Sequence, residues 1–268
     1  LLGPDAQGIS AATISRCKHL WEAEHEQWSR RRFENKRYVY IWADGVYFKI
    51  RSDDAKQCIL VIIGVTEQGR KEFVAIEDGY RESEQSWSEL LLRIKGQGLN
   101  HAPKLAVGDG ALGFWQALSK VYPQTVHQRC WVHLLRDLHT LKEEHVAQPV
   151  VMAWASSLRA LYDEAQAWLG SHTAPTPEER QGAYLSLYER ACELGGRHAR
   201  DTSHPCNALA KRILRHQDEL FQFVLVPGLA ADNNLAERSI RPLVITRKIS
   251  GGNMRQRSDH GCSSYQLC

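Results

Sequence analysis

The continuous apolar run Cys58 to Val65 (CILVIIGV) limits the possible folds more than any other segment. A strand with one wet face alternates apolar and polar residues. A run without alternation expects a strand buried on both faces, so the chain must build a sheet covered on both sides. Tyr38-Val39-Tyr40-Ile41-Trp42-Ala43-Asp44 is aromatic and β-branched and reads as the strand before it, with Val46 to Arg51 continuing as extended chain. Thr66-Glu67-Gln68-Gly69 is a turn, and Lys71 to Asp78 alternates as a third strand. Tight turns between the three predict an antiparallel meander.

The period then changes. Ser83 to Lys95 carries Trp87, Leu90, Leu91 and Ile94 at helical spacing. Lys104 to Asp109 is a short apolar strand ending in an acid, Phe114 to Tyr122 a helix, Thr125 to Cys130 a fifth strand, and Trp131 to Leu141 a further helix. Residues 142 to about 228 show helical periods without a strand pattern: Val150 to Leu169, Gly182 to Leu194 after the Pro175/Pro177 loop, and Ala208 to Phe223. Such a block after five strands reads as a helical insertion. Asp232 to Ile240 predicts one more helix, capped by Asp232 or Asn233 and disturbed by Pro242. Ahead of the strands, residues 8 to 32 read as helical, with Ser10 as N-cap. Gly8 to Arg16 has the look of a turn and second helix of a helix-turn-helix, with Arg16 suited to a groove. An ordinary capped surface helix fits the same residues.

Five segments follow: a helical linker (1–36), the first part of a core (37–141), the helical insertion (142–228), the last core helix (229–250), and a tail (251–268) without apolar period, read as disordered or non-native. Apolar residues at 43% and charged residues at 24% are those of a globular chain. No apolar run reaches the about eighteen residues of a membrane span. The start, Leu1-Leu2-Gly3-Pro4-Asp5, has no signal-type pattern, and the absence of Met reads as a fragment or a mis-started frame. Seven scattered cysteines form no framework and expect a reducing compartment. The net charge of +3 is uninformative, but Arg30 to Arg37 and Arg238 to Arg257 are locally basic.

Three strands followed by α-β-α-β-α is the order of an RNase H-like α/β fold, a mixed five-stranded sheet. In that fold the first and fourth strands are neighbours, so Asp44 and Asp109 are expected side by side at strand ends, where open sheets form their sites. Adjacent carboxylates repel unless a cation lies between them. Their hard oxygens favour Mg2+ or Mn2+. A third carboxylate permits two ions about 3.5–4 Å apart, the arrangement for in-line phosphodiester displacement. Glu237 is the expected third ligand. Helical spacing places Asn233, Glu237 and Arg241 on one face, with Asn234 and Arg238 beside it. Arg238 and Arg241 suit a phosphate backbone. The alternatives are plain: a strand-end Asp is often a turn residue, and Glu237 and Arg241 also make an ordinary helix-surface pair.

These residues resemble a known family. Tyr40-Ile41-Trp42-Ala43-Asp44-Gly45-Val46-Tyr47-Phe48-Lys49-Ile50-Arg51, Val61 to Val65 with Gly69 to Glu72, Val107-Gly108-Asp109-Gly110-Ala111-Leu112-Gly113-Phe114-Trp115-Gln116-Ala117, and Tyr122 to His133 resemble the Mutator-type insertion-sequence transposases. The Cys130-x-x-His133 phrase after the fifth strand is a mark of that family. Gly8 to Arg32 resembles its linker region, and Asn233-Asn234-Leu235-Ala236-Glu237-Arg238 reads like a neighbouring group of insertion-sequence transposases. The resemblance implies a DDE transposase that cuts and joins DNA at terminal inverted repeats, with Asp44, Asp109 and Glu237 as catalytic metal ligands for two Mg2+ or Mn2+ ions. Its implied partners are element ends and target DNA, held by a homodimer or larger assembly. No membrane partner is implied, and the location is the bacterial cytoplasm, on the nucleoid. About a hundred N-terminal residues usual for the family are missing, and the tail after Ser250 does not resemble it.

Other chemistry is weaker. Cys130 and His133, with His127, offer half a zinc site, and Cys206 with His204 a loose second half. The blander role for Cys130 and His133 is support of the site or contact with DNA. Trp131, Trp154 and Trp168 are expected in the core of the helical part. No Gly-x-Ser-x-Gly or catalytic Cys phrase occurs. The rivals to a transposase are an inactive remnant that only binds DNA and a nuclease without strand transfer.

Overall fold

A computed structural model of the chain describes residues 10–49, 56–79, 82–109 and 112–229, together with Ala231, Arg238 and Arg241. Five strands form one sheet: β1 (Tyr38–Lys49), β2 (Lys56–Thr66), β3 (Lys71–Gly79), β4 (Leu105–Gly108) and β5 (Val126–Arg129). Their order is β3-β2-β1-β4-β5. β1 to β3 are antiparallel, while β4 and β5 run parallel to β1. This is the mixed α/β sheet of the RNase H-like fold. Gly69, at φ 76°, closes the β2–β3 turn in the left-handed region that favours glycine.

The apolar run of β2 is buried throughout Cys58 to Val65. Its alternate residues enter two clusters. Val61 and Ile63 face one side with Trp42, Val46, Leu105 and Val107. Leu60 and Ile62 face the other with Ile41, Ala43 and Ala106. The second face is covered by α2 (Glu84–Gly96), whose Trp87, Leu90, Leu91 and Ile94 are buried, and by α3 (Leu112–Val121). Ser83 caps α2 by accepting from the Ser86 backbone N–H at 3.1 Å.

The first face carries the remaining helices: α4 (Trp131–Glu144), α5 (Pro149–Ser171), α6 (Pro177–His198), α7 (Asn207–Arg215) and the short α8 (Gln222–Leu225). Trp131 and Trp154 are core residues, and Trp168 packs against the same cluster half-buried. That cluster is continuous from Trp42 and Val107 of the sheet to Leu158, Leu187, Leu209 and Phe221, so the helices and the sheet share one core. α1 (Ala11–Ser29) precedes the sheet, with Ser10 as N-cap and no buried residue.

Three details differ from the sequence expectation. β1 is one strand of 12 residues, so Asp44 lies within it and not at its end. What ends at Ala43↔Gly108 is the parallel ladder with β4. α6 starts at Pro177, earlier than periodicity indicated, because Thr176 and Glu179 form a capping box and Pro occupies the first turn. The helix expected over Ala208 to Phe223 is broken into α7, a 3-10 turn (Gln217–Glu219) and α8. The break has a cause 90 residues earlier in the chain. Gln128 Nε2 donates to the Leu220 carbonyl (2.9 Å), and Gln128 Oε1 accepts from the Phe223 N–H (3.0 Å). Trp131 Nε1 donates to the same carbonyl at 2.6 Å. Buried side chains thus take the backbone groups that a continuous helix would use itself. The expected tail (251–268) and most of the last helix, including Glu237, lie outside the described residues.

Candidate active site

Asp44 and Asp109 each stand one residue beyond the last parallel pair, Ala43↔Gly108. Alternation places both on the face covered by α4, since Trp42, Val46 and Val107 face that side. Asp44 is half-buried, and its Oδ1 accepts from the Gly45 N–H at 2.8 Å. The Asp109 side chain is 50% exposed. Its backbone is pinned: the Asp109 carbonyl accepts from Trp115 Nε1 at 2.8 Å. Gly108 packs close beneath: a Cβ there would lie 3.2 Å from the Trp115 ring.

α4 delivers the Cys-x-x-His phrase to this point. Cys130 is its buried N-cap and donates its backbone N–H to the Gly108 carbonyl at 3.1 Å. One turn on, His133 Nε2 lies 3.4 Å from Asp109 Oδ2, with its side chain 23% exposed. The Trp131 N–H donates to the Ala231 carbonyl at 3.1 Å. Ala231 therefore lies beside the first turn of α4, while Glu237 is outside the described residues. Arg238 and Arg241 are exposed, as is Arg16 on α1.

Two groups at the site went unnoticed in the sequence. The first is Arg129, aligned with Gly108 at the end of β5. Its guanidinium stacks 4.6 Å over Trp115, pairs with Glu219, meets His216 Nδ1 at 3.1 Å and reaches the Asp109 carbonyl at 3.5 Å. Burial raises the Glu219 pKa, but the His127 hydrogen bond and the Arg129 charge outweigh it and hold the carboxylate below its ordinary value. His216 is lowered by burial and by the neighbouring Arg129 charge. The strand-end position was the available signal for Arg129; nothing local pointed to Glu219.

The second is Glu82, before α2. Its carboxylate fills the space above Gly45, on the opposite face from Asp44: a Cβ on Gly45 would stand 2.1 Å from Glu82 Oε1. The Glu82 backbone also packs against Gly113 at the start of α3, where a Cβ would stand 2.5 Å from the Glu82 carbonyl. Burial pushes the Glu82 carboxyl up, a Tyr47 hydrogen bond opposes this, and the Asp109 charge adds to it.

Among the described residues no three His, Cys, Asp or Glu side chains gather as a metal site. The zinc grouping of Cys130, His133, His127, Cys206 and His204 is thus not assembled there, and the described cysteines are free thiols. Asp44 and Asp109 are two of the three carboxylates expected from the sequence, and carboxylate oxygens are of the type that Mg2+ or Mn2+ prefers. No helix among the described residues is long and apolar enough to cross a membrane.

Comparison with known proteins places the chain. Residues 4–202 match the family described as Transposase, Mutator family, and the chain belongs to that family. It is 36% identical over 214 residues to the transposase for insertion sequence element IST2 of Acidithiobacillus ferrooxidans, covering 76% of this chain and 72% of that protein. It is 40% identical over 179 residues to the transposase for insertion sequence element IS6120 of Mycolicibacterium smegmatis, covering 60% and 55%. The chain thus spans little more than half the length of that second relative. Among solved structures, the HTLV-2 integrase catalytic core in complex with magnesium is 16% identical over 42% of this chain and 76% of that chain, with a TM-score of 0.26. At that score the likeness carries no weight.

Proposed function

We propose that this chain is the catalytic part of a DDE transposase. It cleaves DNA at the terminal inverted repeats of its insertion sequence and joins the freed ends to target DNA. The observation that carries the reading is the placement of Asp44 and Asp109 on one face, each one residue past the end of the same parallel ladder, under the first turn of α4. The Trp131–Ala231 hydrogen bond supports Glu237 as the third carboxylate, because it holds Ala231, six residues earlier in the sequence, beside Cys130.

Asp44, Asp109 and Glu237 would hold two Mg2+ or Mn2+ ions, which supply charge neutralisation and an activated oxygen at the scissile phosphodiester. The protein does the positioning. Trp115 fixes the Asp109 backbone, and His133 restrains its carboxylate. Water attacks phosphorus, the P–O3′ bond breaks, and the 3′ oxygen leaves as a hydroxyl. That hydroxyl then attacks a target phosphodiester, releasing the target's own 3′ oxygen. Arg238, Arg241 and Arg16 are exposed cations available to DNA phosphates. Two ends must meet, so a homodimer or larger assembly on DNA is part of the proposal, at the bacterial nucleoid.

The test is Mg2+-dependent cleavage of labelled duplex carrying the inverted repeats, by the chain and by Asp109→Ala. Cleavage by the first and none by the second is expected, with DNA binding retained in both. Equal cleavage by Asp109→Ala would sink the reading. DNA binding without cleavage by either would leave a binding remnant. Cleavage without joining would leave a nuclease.

A further inference from the structure

α1 is a helix that its own chain does not bury. None of its 19 residues is buried. Arg31 ties its last turn to the sheet: one guanidinium nitrogen donates to the Trp28 carbonyl at 2.8 Å, and the other to the Phe73 and Val74 carbonyls of β3 at 2.6 and 2.8 Å. Ahead of that anchor the helix exposes Ile14 (55%), Leu20 (58%) and Trp21 (57%). Of the chain's eight tryptophans, Trp21 is the exposed one. At about 100° per residue, Ile14, Cys17, Leu20, Trp21 and Trp28 fall within an arc of about 120°. An apolar face left open to water marks an interaction surface.

The charges choose its occupant. The first half of α1 carries Arg16 and Lys18, and the second half Glu22, Glu24 and Glu26. The first turn holds no acid and the last turn no base, so this layout runs against the helix's own dipole. An antiparallel copy of the same helix matches it, cation to acid and dipole to dipole. With a two-fold axis between Leu20 and Trp21, Trp21 meets Trp21 of the second copy, and Ile14 comes level with Trp28. Lys18 comes beside Glu22 of the second copy. Within one chain these two already lie 3.8 Å apart, so the four close a ring of alternating charge. Glu24, the one charge inside the apolar arc, comes beside Arg16. A parallel pair in register sets Lys18 on Lys18 and Glu24 on Glu24. A DNA duplex sets its phosphates against the three glutamates.

We propose that α1 is a self-complementary interface, packed antiparallel against α1 of a second copy of this chain through Ile14, Leu20 and Trp21. The proposal names the surface for the assembly in the transposase reading, and it rests on that reading only for why two copies meet. In the dimer Arg16 serves Glu24 of the second copy, which leaves Arg238 and Arg241 to DNA phosphates. One helix per copy makes a small contact, so the dimer belongs to the weak, transient class.

The experiment is sedimentation equilibrium of the full chain from about 1 to about 100 µM, in EDTA and without DNA, so its outcome stands apart from the cleavage assay. Wild type should show a monomer–dimer equilibrium in that range. Trp21→Glu should weaken the dimer about a hundredfold, because each dimer loses two central tryptophans. Lys18→Glu turns the ring into four acids and should weaken it about tenfold, while Lys18→Glu/Glu22→Lys should recover wild-type association to within about threefold. Circular dichroism checks that each variant is folded, and a duplex titration is run on the same samples. A monomer throughout the range overturns the proposal. So does a dimer unmoved by Trp21→Glu, which places the interface elsewhere, or a double variant that does not recover. Loss of duplex binding by Trp21→Glu with self-association intact overturns it as well and assigns the helix to DNA.

Discussion

The two faces of the sheet are built in different ways. The face under α2 and α3 is assembled from neighbours in sequence, with apolar side chains at helical spacing and short links. Many of its polar ties are short in sequence, such as Tyr122 Oη donating to the Leu99 carbonyl at 2.7 Å and Thr125 Oγ1 to the Pro103 carbonyl at 2.8 Å, while Gln97, just past α2, reaches back to Ser29 and Phe33. The opposite face is held by polar side chains that reach far along the chain. Gln128 and Trp131 bond residues about ninety positions on, Tyr40 Oη donates to the Pro227 carbonyl (2.6 Å), and Trp154 Nε1 to the Leu194 carbonyl (2.9 Å). Asp44, Asp109 and His133 belong to this second face. The α2/α3 face also pins the site, through Trp115 on the Asp109 carbonyl, while the long-range hydrogen bonds of the other face fix the helices that surround it.

Large-to-small core changes probe whether the faces form one cooperative unit. Leu91→Ala on the local face and Leu158→Ala on the other remove fully buried side chains and should each cost about 2–5 kcal/mol. Both should lower the same unfolding transition, because β1 and β2 contribute to both clusters. Two calorimetric transitions, each moved by one variant alone, would break that unity.

Gln128→Ala sharpens the contrast. The Leu220 carbonyl keeps Trp131 Nε1, but the Phe223 N–H loses its Gln128 acceptor. The expected cost is about 1–3 kcal/mol. Hydrogen exchange should quicken over residues 217–225 and stay unchanged in α2 and α3. Equal quickening on both faces would remove the distinction.

Glu82→Gln has the smallest effect and a defined sign. Its folded pKa is raised above the ordinary 4.5 by burial. Below that value the group is protonated in both states and folding bears no charge penalty. As pH rises through the raised folded value, the native state must ionise a buried carboxyl and stability falls. The variant should therefore melt higher than wild type at pH 7, with the gap closing toward pH 4. A gap independent of pH would mean that Glu82 acts through its shape over Gly45 rather than its charge.

The sequence by itself determined the sheet and its local cover. The unbroken run Cys58 to Val65, the period change at Ser83 and the acids at Asp44 and Asp109 suffice, because periodicity and turn chemistry act over a few residues. Periodicity placed the start of α6 too late, because the Thr176–Glu179 capping box that begins it carries no apolar period. Only the tertiary structure decided that Ala208 to Phe223 breaks into three pieces, that Asp44 lies inside a long strand, and that Arg129 and Glu219 meet beside Asp109. Each depends on a partner from another element: Gln128 and Trp131 for the break, β2 for the length of β1, and the 3-10 turn for Arg129. A hydrogen bond or ion pair across ninety residues leaves no period in the sequence, since either partner alone is an ordinary polar residue. Its position becomes informative only once the sheet has brought the two together.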